Sequence, residues 1–565
     1  MLARRTSWLA LLLALTAPAW GCEGVIGDST DRDRMPTPET PDDDDGDGIP
    51  DAVVAAPATL RRLTRSQYRH SVRALTGIEV PVDTALEPDT PSNGFVSVGN
   101  ARTTISARGV EQYEDAAYAV AAAMAATDPG SRIPCTVGSE GCLENFVRTF
   151  GRRAFRRPLT EAEVTRWRAI GEDAATTLGT PNAGIEFVVA GMLQSPNFLF
   201  RSELGSGGAA TSDTLAEGAH YFDDWEMASR IAFTVCDETP DDALLDAAAA
   251  GELTDAESLR GHVERLVASD CARRAVRTLF DEVFGLAELE HVVKDPEVYP
   301  LASSTLGPAL RDSLLATVER WSFDENRPYD EFFTARDFVV NADVEAVFAT
   351  DPGYADLGTE GVNEAAMVRS GLLTHPATLA RNSHAEATSP TLRGKFVRTA
   401  LLCQSVPAPP DDVGELPEPN AEARTLRERL ESHRTNPACA SCHAFLDPIG
   451  LALEQFDGVG TFRETENGAD IDPSGDLDGV TYDDALGLGQ AVSEHPELFG
   501  CLVRNLFRSA TGRIETAGEE RTIALLERDF ERDRLLRTLL VELLTSEGFR
   551  VAASTDVSAG EGGAR

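Results

Sequence analysis

The run Cys439-Ala-Ser-Cys442-His443 constrains this chain more than any other feature. Two thiols three positions apart sit one turn from each other on a helix, with the imidazole projecting beside them. Cys-x-x-Cys-His is the attachment sequence for c-type haem. The two thiols add to the two vinyl groups, and the histidine offers its ring to the iron from one face. Two rival chemistries use similar residues. Zinc accepts two thiolates and an imidazole, but a structural site needs a fourth ligand and no second Cys/His pair stands nearby. A redox disulfide of the Cys-x-x-Cys kind has no use for the following histidine. Haem c is therefore the expected cofactor, with Cys439 and Cys442 as anchors and His443 as proximal ligand.

The opposite iron ligand is left open. Methionine is the usual sixth ligand of small electron-transfer cytochromes, yet the last methionine, Met367, precedes the motif. His433 lies one to two helical turns ahead of Cys439, and His384 sits in Ser383-His384-Ala-Glu-Ala-Thr388-Ser389-Pro390. Either is a candidate distal ligand, and either also reads as a surface or capped histidine. Double-histidine ligation implies a lower potential than His/Met, whereas an open position implies peroxide or small-ligand chemistry. The apolar residues between Phe445 and Phe462 suit a porphyrin face, and Arg463 suits a propionate. A core-packing helix would use the same residues.

The first 21 residues read as an export signal: Arg4 and Arg5, then an apolar run from Trp8 to Thr16. Ala19-Trp20-Gly21-Cys22 resembles a bacterial lipoprotein cleavage box, which would make Cys22 the lipid-bearing residue and the membrane a partner through that lipid. Plain secretion is the alternative. Either way the expected location is the cell envelope or periplasm. Nine cysteines fit an oxidising compartment. Setting aside Cys22, Cys439 and Cys442 leaves six, enough for three disulfides. Cys135–Cys142 closes a short loop; order along the chain suggests Cys236–Cys271 and Cys403–Cys501, while sequence alone leaves their connectivity open. The net charge of −42 argues against nucleic acid and anionic lipid as direct partners, since both repel it.

At 565 residues the chain is too long for one core, and length alone implies three or four domains. Residues 22–57 read as an acidic, proline-bearing linker. Within it Asp43, Asp45, Asp47 and Asp51 around Gly46 and Gly48 resemble one calcium-binding repeat, and equally a solvated acidic spacer. Asp470, Asp472 and Asp476 resemble the start of a calcium loop, but Thr481 stands where a bidentate glutamate belongs, so a polar hairpin turn is the preferred reading. From residue 58 the apolar spacing is helical almost throughout. Capping boxes are expected at Thr64-Arg-Ser-Gln67, Thr160-Glu-Ala-Glu163 and Thr425-Leu-Arg-Glu428. Amphipathic stretches run over 109–126, 182–194, 222–236, 254–285, 307–322, 496–511 and 532–545. The fold class is mainly α: several helical modules in tandem, over 58–130, 135–205, 218–348, 364–480 (holding the Cys-x-x-Cys-His motif) and 481–553, with a tail at 554–565. One echo stands out. Cys142 opens a stretch ending in Ser195-Pro-Asn-Phe198, and Cys501 opens one ending in Ser546-Glu-Gly-Phe549. These are two generic helical hairpins or a duplicated module.

Several runs carry a resemblance. They are Leu60-Arg-Arg-Leu63-Thr-Arg-Ser-Gln-Tyr68; Phe150-Gly-Arg-Arg153-Ala-Phe155-Arg-Arg-Pro158; Ala228-Ser-Arg230 with Pro240-Asp-Asp-Ala-Leu244; Thr388-Ser389-Pro390 with Arg393-Gly394 and His433 through Asp457; and Thr511-Gly512-Arg513 with Ser546 to Phe549. Over roughly residues 58 to 553 the chain resembles the exported multi-module proteins of planctomycetes and myxobacteria built around the domain of unknown function 1592, with a planctomycete-type cytochrome c-like segment. The resemblance implies this module order and a c-type haem. Three functions follow as expectations: electron transfer with an unidentified redox partner protein; a haem-dependent oxidase or peroxidase with an open distal site; or a surface binding and assembly protein whose haem is structural or absent.

Overall fold

The computed structural model describes residues 49–81, 84–126, 132–354, 361–363, 367–407, 419–433 and 437–554. Residues 1–21, read above as an export signal, and Cys22, Asp43, Asp45 and Asp47 lie outside these residues; Asp51 is described and exposed. Among the described residues no group of three His, Cys, Asp or Glu is arranged to hold a metal ion. None of their helices is long and apolar enough to cross a membrane.

The chain is mainly α, with 22 α-helices among the described residues and sheets of only two or three short strands. The three expected capping boxes all form. Thr64 and Gln67 start helix Arg65–Thr76, Thr160 and Glu163 start Glu161–Leu178, and Thr425 and Glu428 start Leu426–His433. Each satisfies amide hydrogens that a helix start leaves without carbonyl partners. The amphipathic stretch over 254–285 forms two helices, Ala256–Val267 and Ala272–Val283. The break places Cys271 against Cys236, to which it is bonded. Disulfides also join Cys135 to Cys142 and Cys403 to Cys501. The acidic run after residue 464 forms two hairpins, 465–470 and 475–482. Their turns, Asn467-Gly468 and Asp478-Gly479, have positive φ at both positions, as two-residue hairpins require.

Two strand pairs organise the fold into two lobes. In the first, strand Thr59–Arg62 runs antiparallel to Phe200–Glu203, with Arg61 opposite Arg201. The helices between them bury Tyr68, Val72, Phe146, Phe150, Val188 and Phe198 in a common core. In the second, strand Ala219–Tyr221 pairs with Val551–Ala553. Nearly all the intervening chain shares one larger core, in which Trp321, Phe332, Leu372, Ile449, Phe507 and Leu543 take part.

The echo in the sequence is matched by a similar local geometry in the two segments. Helices Cys142–Phe155 and Glu497–Thr511 each end on a left-handed residue, Arg156 (φ 59°) and Gly512 (φ 69°). The next residue, Arg157 or Arg513, grips the glutamate of a capping box, Glu163 under Thr160 or Glu519 under Thr516. Further on, Ser195 and Ser546 each cap a single helical turn that feeds the returning strand of its own lobe.

The lobes meet over a buried charge cluster. Glu203 receives Arg201 at 2.5 Å and also Arg230, with Arg61 at 3.6 Å. Arg61 donates to the Ala510 carbonyl at 2.9 Å, and Arg230 to that of Phe549 at 3.0 Å. Burial pushes the Glu203 carboxyl up, but Arg201, Arg230 and Arg61 together hold it down to about 2.

Candidate functional site

The Cys-x-x-Cys-His motif lies on helix Pro437–Leu451. That helix crosses the short helix Pro390–Phe396 at very close range, and glycine makes the crossing feasible. A Cβ on Gly450 would collide with the Pro390 carbonyl, and one on Gly394 with the Leu446 carbonyl. Ser389 caps the shorter helix by accepting from the Leu392 amide, with Pro390 in the first turn, where a missing N–H costs nothing.

This crossing sets the histidine. His443 Nδ1 lies 2.9 Å from Asp447 Oδ2, one turn along the same helix, and Asp447 is fully buried. Thr391, on the crossing helix, donates its hydroxyl to the other carboxylate oxygen at 2.9 Å. An ionised carboxylate only accepts, so Nδ1 carries the hydrogen and Nε2 is the ring nitrogen with the lone pair for a metal. Cys442, immediately before, is a half-buried free thiol. Cys439 lies in the same helix, three residues earlier; its side chain and that of His433 lie outside the described residues. The donor set thus fits a covalently attached haem: a free thiol, a second cysteine at helical spacing, and an imidazole oriented by a buried carboxylate.

The other expected contributors lie as follows. His384 is exposed on the loop before Pro390–Phe396, its amide donating to the Ala387 carbonyl at 2.8 Å and its carbonyl accepting from Lys294 at 2.9 Å. Arg463 donates to the Glu454 carbonyl and carboxylate, both at 3.0 Å. Glu454 is buried and also receives Thr388 at 2.6 Å and Arg393 at 3.0 Å. Arg463 therefore belongs to an internal ion cluster that ties the segment after the motif to the loop before it. Ile449, Leu453, Phe456 and Val459, read as a porphyrin face, point into the second lobe's core, while Phe445 lies under the Arg398 guanidinium at 3.8 Å. Asp447 and Thr391 were not singled out as site residues. For Asp447 the signal was present, since a carboxylate four residues after a helical histidine faces it.

A helical protein with a cytochrome c-like segment is the class these features define. Four regions match described families in order: residues 61–126 a protein of unknown function (DUF1587), 142–203 another (DUF1595), 222–349 a third (DUF1592), and 369–466 PSCyt3, a protein of unknown function (DUF1588). The chain belongs to the planctomycete-type multi-module family built around the DUF1592 domain. No curated protein and no solved structure matches it.

Proposed function

We propose that the chain is an exported c-type haem protein of the cell envelope that transfers electrons, with Cys439 and Cys442 as thioether anchors and His443 as proximal ligand. The observation that carries this reading is the His443–Asp447–Thr391 chain of hydrogen bonds beside the free Cys442 thiol. A haem held there supplies a one-electron iron couple. The protein's own part is to fix the imidazole. Asp447 selects the tautomer, limits rotation of the ring and raises its basicity, and Thr391 keeps the carboxylate in place. Export is supported by the N-terminal charge and hydropathy pattern and by the three disulfides. A lipid on Cys22 would hold the protein at the membrane.

The same carboxylate favours a second reading, a haem-dependent oxidase or peroxidase. A strongly basic proximal imidazole stabilises the oxidised metal and donates electron density toward the opposite face. Expression with the haem-attachment machinery, followed by a denaturing gel stained for haem, tests the shared claim, because only covalent haem survives. Stain that is lost in the Cys439→Ala, Cys442→Ala double variant supports it, and an unstained native band overturns it. A carbon monoxide difference spectrum of the reduced protein then separates the readings: a large shift means an open or labile sixth position.

A further inference from the structure

Helix Pro390–Phe396 continues into a wider turn, Val397–Leu401. Three contacts set its register on the motif helix: Pro390 meets Gly450, Thr391 meets Asp447, and Gly394 meets Leu446. Residue numbers rise on one helix as they fall on the other, so the two run antiparallel. Thr391 and Asp447 form the pair on the histidine side. One turn along that side Lys395 follows Thr391, just as His443 precedes Asp447, and the same register sets Lys395 opposite His443.

The motif helix reaches the surface at this level. Ser441 and Ala444 are exposed, while Cys442 and His443 are half-buried. Lys395 is exposed too, and among the described residues its ammonium has neither a carboxylate nor a hydrogen-bond acceptor. Three arginines near the motif helix are engaged elsewhere. Arg393 and Arg463 both bind Glu454 at 3.0 Å. Arg398 is buried, donates to both Asp478 oxygens at 2.8 and 2.7 Å, and covers Phe445. The chain has only one other lysine, Lys294, and its ammonium is held by Ser383 and the His384 carbonyl.

The porphyrin of a c-type haem keeps two propionate carboxylates after its vinyl groups are spent on thioethers. A carboxylate brought beside His443 meets Asp447, another carboxylate, and needs a counter-charge. Arg463, which the sequence offered for a propionate, is committed to Glu454. Lys395 is the cation at the right level with its charge unspent. An ammonium is a compact point charge on a flexible stem, so it reaches a carboxylate without the fixed fork that arginine imposes.

We propose that Lys395 pairs with one propionate of a haem held at His443 and acts as the counterweight to Asp447. The assignment rests on the haem reading above. The Asp447 carboxylate favours the oxidised metal, and a positive charge beside the porphyrin favours the reduced one.

A chain with two lysines allows a direct test. The full chain matured with haem and the Cys439→Ala, Cys442→Ala double variant, which cannot anchor it, are acetylated briefly with a succinimidyl ester, and each lysine is followed by mass spectrometry. Lys395 is expected to react roughly tenfold more slowly in the haem-loaded chain, because a paired ammonium stays protonated, while Lys294 reacts alike in both. In haem-loaded Lys395→Gln the midpoint potential should fall by a roughly threefold change in the redox equilibrium, about 30 mV, and Lys395→Arg should keep the native value. Equal reactivity of Lys395 in the haem-stained chain and the double variant overturns the proposal and leaves the haem reading standing. So does an unchanged potential in Lys395→Gln, which would mean a lysine covered but unpaired. A native chain that takes up no haem overturns both.

Discussion

Asp447 lies 2.9 Å from the Nδ1 of His443, one helical turn away, and it is the fully buried member of the pair. A buried carboxylate behind a metal-ligating imidazole raises the basicity of the ring and stabilises the more positive oxidation state of the metal. Asp447→Asn keeps an acceptor but removes the charge. In haem-loaded protein the midpoint potential of this variant should rise by about 59 mV or more, a tenfold change for a one-electron couple. Potentiometric titration reads the shift; an unchanged potential means that Asp447 does not tune the metal.

Gly450→Ala should be costly for a steric reason. Its Cβ meets the Pro390 carbonyl, which is backbone and cannot rotate away. Forcing the two helices apart should lower stability by about 1–3 kcal/mol. It should also lengthen the Thr391–Asp447 contact. Chemical denaturation measures the first effect, and a melting curve at the native value would show that the crossing is slack.

Glu203→Gln leaves Arg61, Arg201 and Arg230 buried around a neutral group. Removing one partner of a buried ion cluster typically costs about 3–5 kcal/mol. Its acid dependence has a definite sign. The folded carboxyl sits near 2, below the unfolded value of about 4.3, so the unfolded state binds more protons as pH falls between them. The contribution is complete above the unfolded value and is lost as pH falls through about 2. Urea titrations from pH 5 to 2 should show a steeper loss for the native chain than for the variant.

His375 works against the fold in acid from a different position. Burial, with Arg369 adding to it, depresses its ring from the usual 6.5 to about 3. Between those values the unfolded chain takes up a proton that the folded chain refuses, so stability falls by about 1.4 kcal/mol per pH unit. A melting temperature that is flat from pH 6 down to pH 4 would contradict this.

The Cys403–Cys501 disulfide spans 98 positions and joins the segment before the Cys-x-x-Cys-His motif to helix Glu497–Thr511. Loop-closure arguments put its contribution at about 4–5 kcal/mol. The Cys403→Ser, Cys501→Ser double variant should therefore melt well below the native chain, and reduction should bring the native chain down toward it.

Much of this was legible because it is local. Thr64 with Gln67, Thr160 with Glu163 and Thr425 with Glu428 announce helix starts within four residues, and physics at that range is written in order along the chain. The box at Asp223 and Glu226 went unread because its cap is aspartate. Counting left six cysteines for three bridges, and the Cys403–Cys501 bridge matches the simplest order along the chain. The convergence of Arg61, Arg201 and Arg230 on Glu203 did not. Nothing in the neighbourhood of any one of them names the others, since their meeting depends on how strands 59–62 and 200–203 and helix 224–235 come together. His443 and Asp447 fall between these cases: the spacing was visible, but the burial that gives the carboxylate its influence comes from the crossing helix.

The pairing of Ala219–Tyr221 with Val551–Ala553 imposes an order of events. The larger lobe holds its first strand waiting across more than three hundred residues for the one that seals it. During that interval the helix that carries the Cys-x-x-Cys-His motif belongs to an unfinished fold, and a chain shortened before Val551 would leave Ala219–Tyr221 paired with Gly208–Ala209 alone.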